Sequence, residues 1–368
     1  MSPSTGGRER SDRGIRTVGG AVDWEFAANV GAKLARPAPV TSDYTRDQAV
    51  TQLAELARRA ELPVREVTGL NEGADIAEAR VVDRPEWVRA ATKSMRVMTG
   101  GTDTPGGFLT SKLAGAQTGA VLGFISAGIL GQYDPFSSGG LERSDSGNDT
   151  AGVLLLVYPN VIAVERQLRV DPTDFRFWVC LHEVTHRVQF KANPWLAEHM
   201  SSSLATLTQD AGEQVGEIVG RLAGYVREQR KGDAAEKNSG GVVGLLRAVQ
   251  AEPQRQALDR LLVLGTLLEG HAEHVMDAVG PAVVPSVTTI RARFDDRRQR
   301  KQPPLQRIVR ALLGFDAKMN QYTRGKAFVD EVVGRVGMSR FNTIWTNAET
   351  LPLPPEIEEP QRWIDRVL

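Results

Sequence analysis

Val170–Phe190, VDPTDFRFWVCLHEVTHRVQF, is the stretch from which the rest of the chain is best read. Asp171 is placed to cap a helix. Pro172 suits the first helical position, where a missing N–H costs nothing, and Asp174 sits in the first turn beside the positive end of the dipole. This start predicts a helix running to about Lys191, before Asn193-Pro194. Inside it, His182-Glu183-Val184-Thr185-His186 sets two imidazoles one turn apart on one face. Both rings can then reach a single ion about 2.0–2.1 Å away, with Glu183 offset beside them to act on a water. With five histidines and 24 glutamates in 368 residues, chance supplies on the order of 0.004 copies of this pattern. Two histidines merely satisfied on a polar helix face are the plain alternative, and the spacing argues against it.

A zinc site that performs chemistry takes three protein ligands and leaves a fourth position for water. One local solution puts glycine three residues and histidine six residues after the second histidine, but those positions hold Gln189 and Ala192. The third ligand must therefore come from elsewhere: His199, His271, His274, or a carboxylate on a later helix. Pro253–Val279, PQRQALDRLLVLGTLLEGHAEHVMDAV, reads as a strongly apolar helix closed by Gly280-Pro281. Glu269, Glu273 and Asp277 recur on it every four residues. Unpaired buried carboxylates are costly, so such a stripe should face a cation or water. Cys180, two residues before His182, points to another face and reads as a small core residue.

Leu268-Glu269-Gly270-His271-Ala272-Glu273 resembles the EGxAE segment that follows HExxH in gluzincins, zinc peptidases whose third ligand is a glutamate. The resemblance implies that Glu269 is the third metal ligand and that Glu273 orients one of the ligand histidines. Four further stretches, Gly131–Phe136 (GQYDPF), HEVTHRVQF, Pro194-Trp195-Leu196 and Trp363–Val367 (WIDRV), are together similar to an uncharacterised bacterial family of zincin-like metallopeptidases. Some members of that family are described as associated with biosynthesis of a deazaflavin coenzyme. The resemblance covers nearly everything after the first 20 residues. It implies a mainly α fold with a small β-sheet, of the zincin-like α+β kind, with helical N-terminal and insertion regions. Glu269 lies 83 residues after His186, far more than the short connection of a compact gluzincin. A helical insertion over 196–252 must then fold back to bring Glu269 to the histidines, while helical geometry turns His271 and His274 away from the Glu269 face.

The expected function is zinc-dependent hydrolysis of a peptide or protein substrate. Zn2+ is held by His182, His186 and Glu269, and Glu183 is the general base. Tyr322, in Gln321-Tyr322-Thr323-Arg324-Gly325, is a candidate oxyanion donor, with an ordinary half-buried aromatic as its plain reading. Gly152–Tyr158 (GVLLLVY) is the clearest strand and is expected to offer an edge to an extended substrate. The competing class is a non-catalytic, zinc-stabilised binding or assembly protein. A purely structural site has no need of Glu183, which favours the enzyme.

Composition bounds the remaining choices. Basic and acidic residues number 45 each, so no global field steers the chain onto nucleic acid. One cysteine cannot make an internal disulfide, which suits a reducing cytoplasm. Residues 1–20, polar and glycine-rich, read as a disordered tail without the apolar stretch of a signal peptide. Residues 21–150 read as a mostly helical region, with helices at Asp47–Leu62 and Asp83–Met98, and 151–368 as the catalytic region. Ser137–Thr150 and Lys231–Gly241 read as loops. The basic run Arg291–Lys301 is a solvated face, since it lacks the interleaved aromatics of a nucleic-acid surface. Leu113–Gln132 carries no charge and five glycines; the absence of basic flanks favours a helix closely approached by a neighbour over a membrane span.

Overall fold

The structure, a computed structural model, describes residues 22–70, 78–101, 108–137, 152–208, 252–299 and 315–368. In chain order it forms α1 (Trp24–Leu34), α2 (Asp43–Thr68), β1 (Arg80–Val82), α3 (Arg84–Met98), α4 (Phe108–Ile125), β2 (Gly131–Asp134) and β3 (Val153–Val157). There follow α5 (Tyr158–Leu168), α6 (Pro172–Ala192), α7 (Trp195–Thr208), α8 (Glu252–Val279), α9 (Val287–Gln299) and α10 (Phe315–Val336). Short helices close the chain: α11 (Met338–Phe341), a 3-10 turn (Asn342–Trp345), α12 (Pro354–Glu358) and α13 (Pro360–Val367). The architecture is mainly α with one three-stranded sheet. The tail at 1–20, the loop at 231–241 and the insertion between 209 and 251 lie outside the described residues, as does most of the loop at 137–150.

Local signals account for most boundaries. The Asp171 carboxylate accepts from the Asp174 N–H at the start of α6. Asp83 and Glu86 form a reciprocal capping box on α3, with proline in its first turn. Helix α2 runs beyond the expected Asp47–Leu62 at both ends. Ser42 caps it upstream, and it continues through Pro63 to Thr68 because Val64 and Thr68 are buried, which offsets the backbone bond that proline cannot make.

The charge-free segment divides where a single helix was expected. Its first part is α4, but Gly131 and Gln132 belong to β2. The glycines of α4 meet α1 backbone to backbone. A Cβ on Gly119 would stand 2.3 Å from the Ala27 carbonyl oxygen, one on Gly115 2.5 Å from that of Asp23, and one on Gly123 2.7 Å from that of Gly31. The opposite side of α4 leaves Leu109, Leu113 and Phe124 exposed. Among the described residues no helix is long and apolar enough to cross a membrane.

The sheet order is β1-β3-β2, with β1 parallel and β2 antiparallel to β3. This corrects the expectation for Gly152–Tyr158: β3 is the central strand, its backbone committed on both sides, and it has no edge to offer. Its near-continuous apolar run reflects burial on both faces. The edge nearest the histidine helix is β2, which packs on α6. Helix α6 lies between α2, the sheet and α8, in a core that includes Leu53, Phe175, Leu181 and Val275. A second core joins α8 to α10 and the C-terminal helices around Trp363 and Phe341.

Gly119→Ala should lower unfolding stability by about 1–3 kcal/mol, because the added methyl meets backbone that cannot rotate away. Gly334→Ala, in open space on α10, should raise it by about 0.5–1 kcal/mol. Urea unfolding of the two variants measures both.

Candidate metal centre

Helix α6 is buried nearly all round, so its polar side chains must find partners inside the protein. Near its start, Arg176 grips Glu165 of α5 with two N–H donors at 2.9 and 2.7 Å, both side chains being 5% exposed. Near its end, Arg187 donates to Glu61 of α2, whose other oxygen accepts from Arg65 at 2.8 and 3.0 Å. Glu61 and Arg187 are almost inaccessible. These pairs fix the rotation of α6. The face left toward the cleft carries Trp178, His182 and His186 at four-residue spacing, with Glu183 beside them.

The two imidazoles meet edge to face, their centroids 4.8 Å apart at 88°, and the Nε2 atoms are 3.2 Å apart. Glu269, on α8, brings one carboxylate oxygen to 3.4 Å from His182 Nε2 and 3.9 Å from His186 Nε2. Three ligand atoms in a tetrahedron around zinc at about 2.0–2.1 Å stand about 3.3 Å apart, so this trio fits one such ion. Burial pulls the His182 imidazole down, but the hydrogen bond and charge of Glu269, with Glu183 and Glu273 nearby, lift it to about 9. The cluster thus favours a positive charge at its centre. Among the described residues it is the group of metal-ligating side chains brought together in this way.

The wider surroundings hold these side chains in place. His182 Nδ1 faces the Met276 sulfur at 3.3 Å, and His186 Nδ1 faces Gln189 Oε1 at 2.9 Å. Glu273 accepts from Arg291 at 2.8 Å. Arg291 also reaches Asp277, which in turn pairs with Lys326 at 3.1 Å. The acidic stripe of α8 therefore does face cations: Glu269 faces the histidines, and the other two acids face Arg291. His271 is buried against Phe341 and Trp345, where burial first, and then the neighbouring His274 and His186, hold its imidazole down at about 3. His274 bonds Asp330 at 2.7 Å. Cys180 is buried, and its thiol donates toward the Leu53 carbonyl; desolvation pushes the thiol far up, so it is inert. Tyr322 belongs to α10, but its side chain lies outside the described residues.

Glu183 is 7% exposed and pressed between α6 and the first residue of β2. A Cβ on Gly131 would lie 2.6 Å from its Cγ, so only glycine lets the strand come this close. The cavity beyond, about 640 Å³, runs from the histidines past Gly131, Gln132 and Tyr133 to an apolar wall that includes Trp87, Met95 and Leu122. Trp87 Nε1 donates to the Gln132 side chain and Ser94 to Asp134, which ties β2 to α3. The sequence singled out Gly131–Phe136 as a motif but not as an edge strand, and Gln189 only as a position without glycine. A polar residue between Val188 and Phe190, three positions after His186, was the one available signal for Gln189.

Over residues 22–364 the chain matches the model of a family described as zincin-like metallopeptidases. The chain belongs to that family. A solved structure from Chloroflexus aurantiacus, described as that of a presumed hydrolase with a novel fold, shares 29% sequence identity. It superposes with a TM-score of 0.64 over 94% of this chain and 98% of that one. No curated protein matches the chain.

Glu61→Ala should deprive the buried Arg187 of its carboxylate partner directly behind His186. The expected cost is about 3–5 kcal/mol of unfolding free energy, read as a lower urea midpoint against the unsubstituted chain.

Proposed function

We propose that this protein is a zinc-dependent hydrolase, acting as a peptidase on an extended peptide or protein segment. The observation that carries this reading is the convergence of His182, His186 and Glu269 from two helices within reach of one ion, with Glu183 beside it. Membership of the zincin-like family and the likeness to the Chloroflexus protein support it.

His182 and His186 would hold the ion through Nε2 and Glu269 through a carboxylate oxygen. Zinc, when bound, supplies a Lewis acid that acidifies water and polarises a carbonyl. Glu183, buried and braced by Gly131, takes the proton from the attacking water and returns it to the leaving amine. Two nearby acids play different parts: Glu183 lines the cavity beside the histidines, while Glu273 is bound by Arg291 and adds negative charge around His182. The substrate backbone pairs with β2, since β3 is flanked on both sides. Side chains of the substrate then fall against Trp87, Met95 and Leu122. Tyr322 remains our candidate for stabilising the oxyanion, from its place on the helix packed against α8.

Two variants test the reading. Glu183→Gln should retain zinc and lose hydrolysis of a quenched peptide library by about 100-fold or more. His186→Ala should lose zinc itself, measured by metal analysis after gel filtration. Zinc retained by the unsubstituted chain without peptide cleavage would instead assign it to the zinc-stabilised binding proteins. A Glu183→Gln variant as active as the unsubstituted chain would remove Glu183 as the base.

A further inference from the structure

Gln189 is fully buried on α6, one turn beyond His186. Its amide is committed on both ends. Oε1 lies 2.9 Å from His186 Nδ1, while Nε2 lies 3.0 Å from the Leu268 carbonyl oxygen and 2.9 Å from His271 Nδ1. A main-chain carbonyl can only accept, so the amide NH2 must face Leu268 and the amide oxygen must face His186. That oxygen in turn can only accept. The His186 proton therefore sits on Nδ1, and the Nε2 lone pair is left pointing at His182 and Glu269.

The same amide spans the two helices that carry the trio. Leu268 immediately precedes Glu269 on α8, so one side chain joins the backbone behind one member to the ring of another. His271 completes the clamp: its Nδ1 accepts the second amide N–H, and its ring is held between Phe341, stacked at 5.6 Å, and Trp345, edge-on at 5.3 Å. The contrast with His182 is informative, since its Nδ1 faces only a thioether, a weak acceptor.

We propose that Gln189 is a positioning residue of the metal centre. It fixes the tautomer and orientation of His186, and it holds α6 and α8 at the separation where His186 and Glu269 reach one ion. The inference rests on the reading of His182, His186 and Glu269 as zinc ligands. Gln189 acts through His186 and touches no substrate.

Two measurements decide it. In the full chain labelled with 15N-histidine and loaded with zinc, long-range 1H–15N correlations should show His186 protonated at Nδ1 and coordinated through Nε2. A proton on His186 Nε2 overturns the proposal. Gln189→Met keeps the length of the side chain and removes both its donors and its acceptor. Its zinc dissociation constant, by competition with a chromogenic chelator, should rise about 10–100-fold, and the visible spectrum of the cobalt form should change with the altered ligand geometry. An unchanged dissociation constant overturns the role of Gln189 while leaving the zinc reading intact, whereas an unsubstituted chain that binds no zinc overturns both. If Gln189→Met does not fold, the tautomer in the unsubstituted chain decides alone.

Discussion

A helix that is buried on nearly every side yet carries two arginines, two histidines, a glutamate and a glutamine can exist only if each polar group is met by another element. Helix α6 satisfies this constraint in three directions. Arg176 and Arg187 are neutralised by Glu165 and Glu61. Gln189 is absorbed by a carbonyl and an imidazole of the α8 region. What remains, His182 and His186, faces the one side where Glu269 arrives. The chemistry of the cleft is therefore the part of α6 that structural pairing leaves over, and the rotation of the helix is set before any ligand enters.

The legible part of this arrangement was local. The capped start of α6, the i, i+4 histidines and the acidic stripe of α8 are features of single helices, and their periodicity is written in consecutive residues. The stripe could be read as needing cations, although Arg291 as the partner of Glu273 and Asp277 could not. The pairing of Glu61 with Arg187 joins residues 126 positions apart, and no pattern along the chain links them. The strands were harder still. The apolar run of β3 announced a strand but not its place in the sheet. The glycines that serve α4 continue without a break into β2, so composition concealed the boundary between helix and edge strand.

The family assignment and the geometry answer different questions. Likeness over residues 22–364 places the chain among zincin-like metallopeptidases, but a shared fold does not specify a substrate. The cleft adds something more particular: a glycine-led strand lying on Glu183, with its side chains tied to α3 through Gln132 and Asp134. Strand and carboxylate are thus one mechanical unit. On the proposed reading, a segment docked along β2 would be registered against the same backbone that braces the carboxylate, so binding and proton transfer would share a frame.

The contact between α1 and α4 bears on how such a cleft could diversify. Leu122 and Ile125 of α4 line its far wall, and behind them Gly115, Gly119 and Gly123 bring main-chain oxygens of the α1 segment into direct contact. Glycine is already the smallest residue, so that wall cannot retreat through smaller substitutions at those three positions. A change in the calibre of the cavity would then have to come from the lining itself, residue by residue, while its scaffold stayed still.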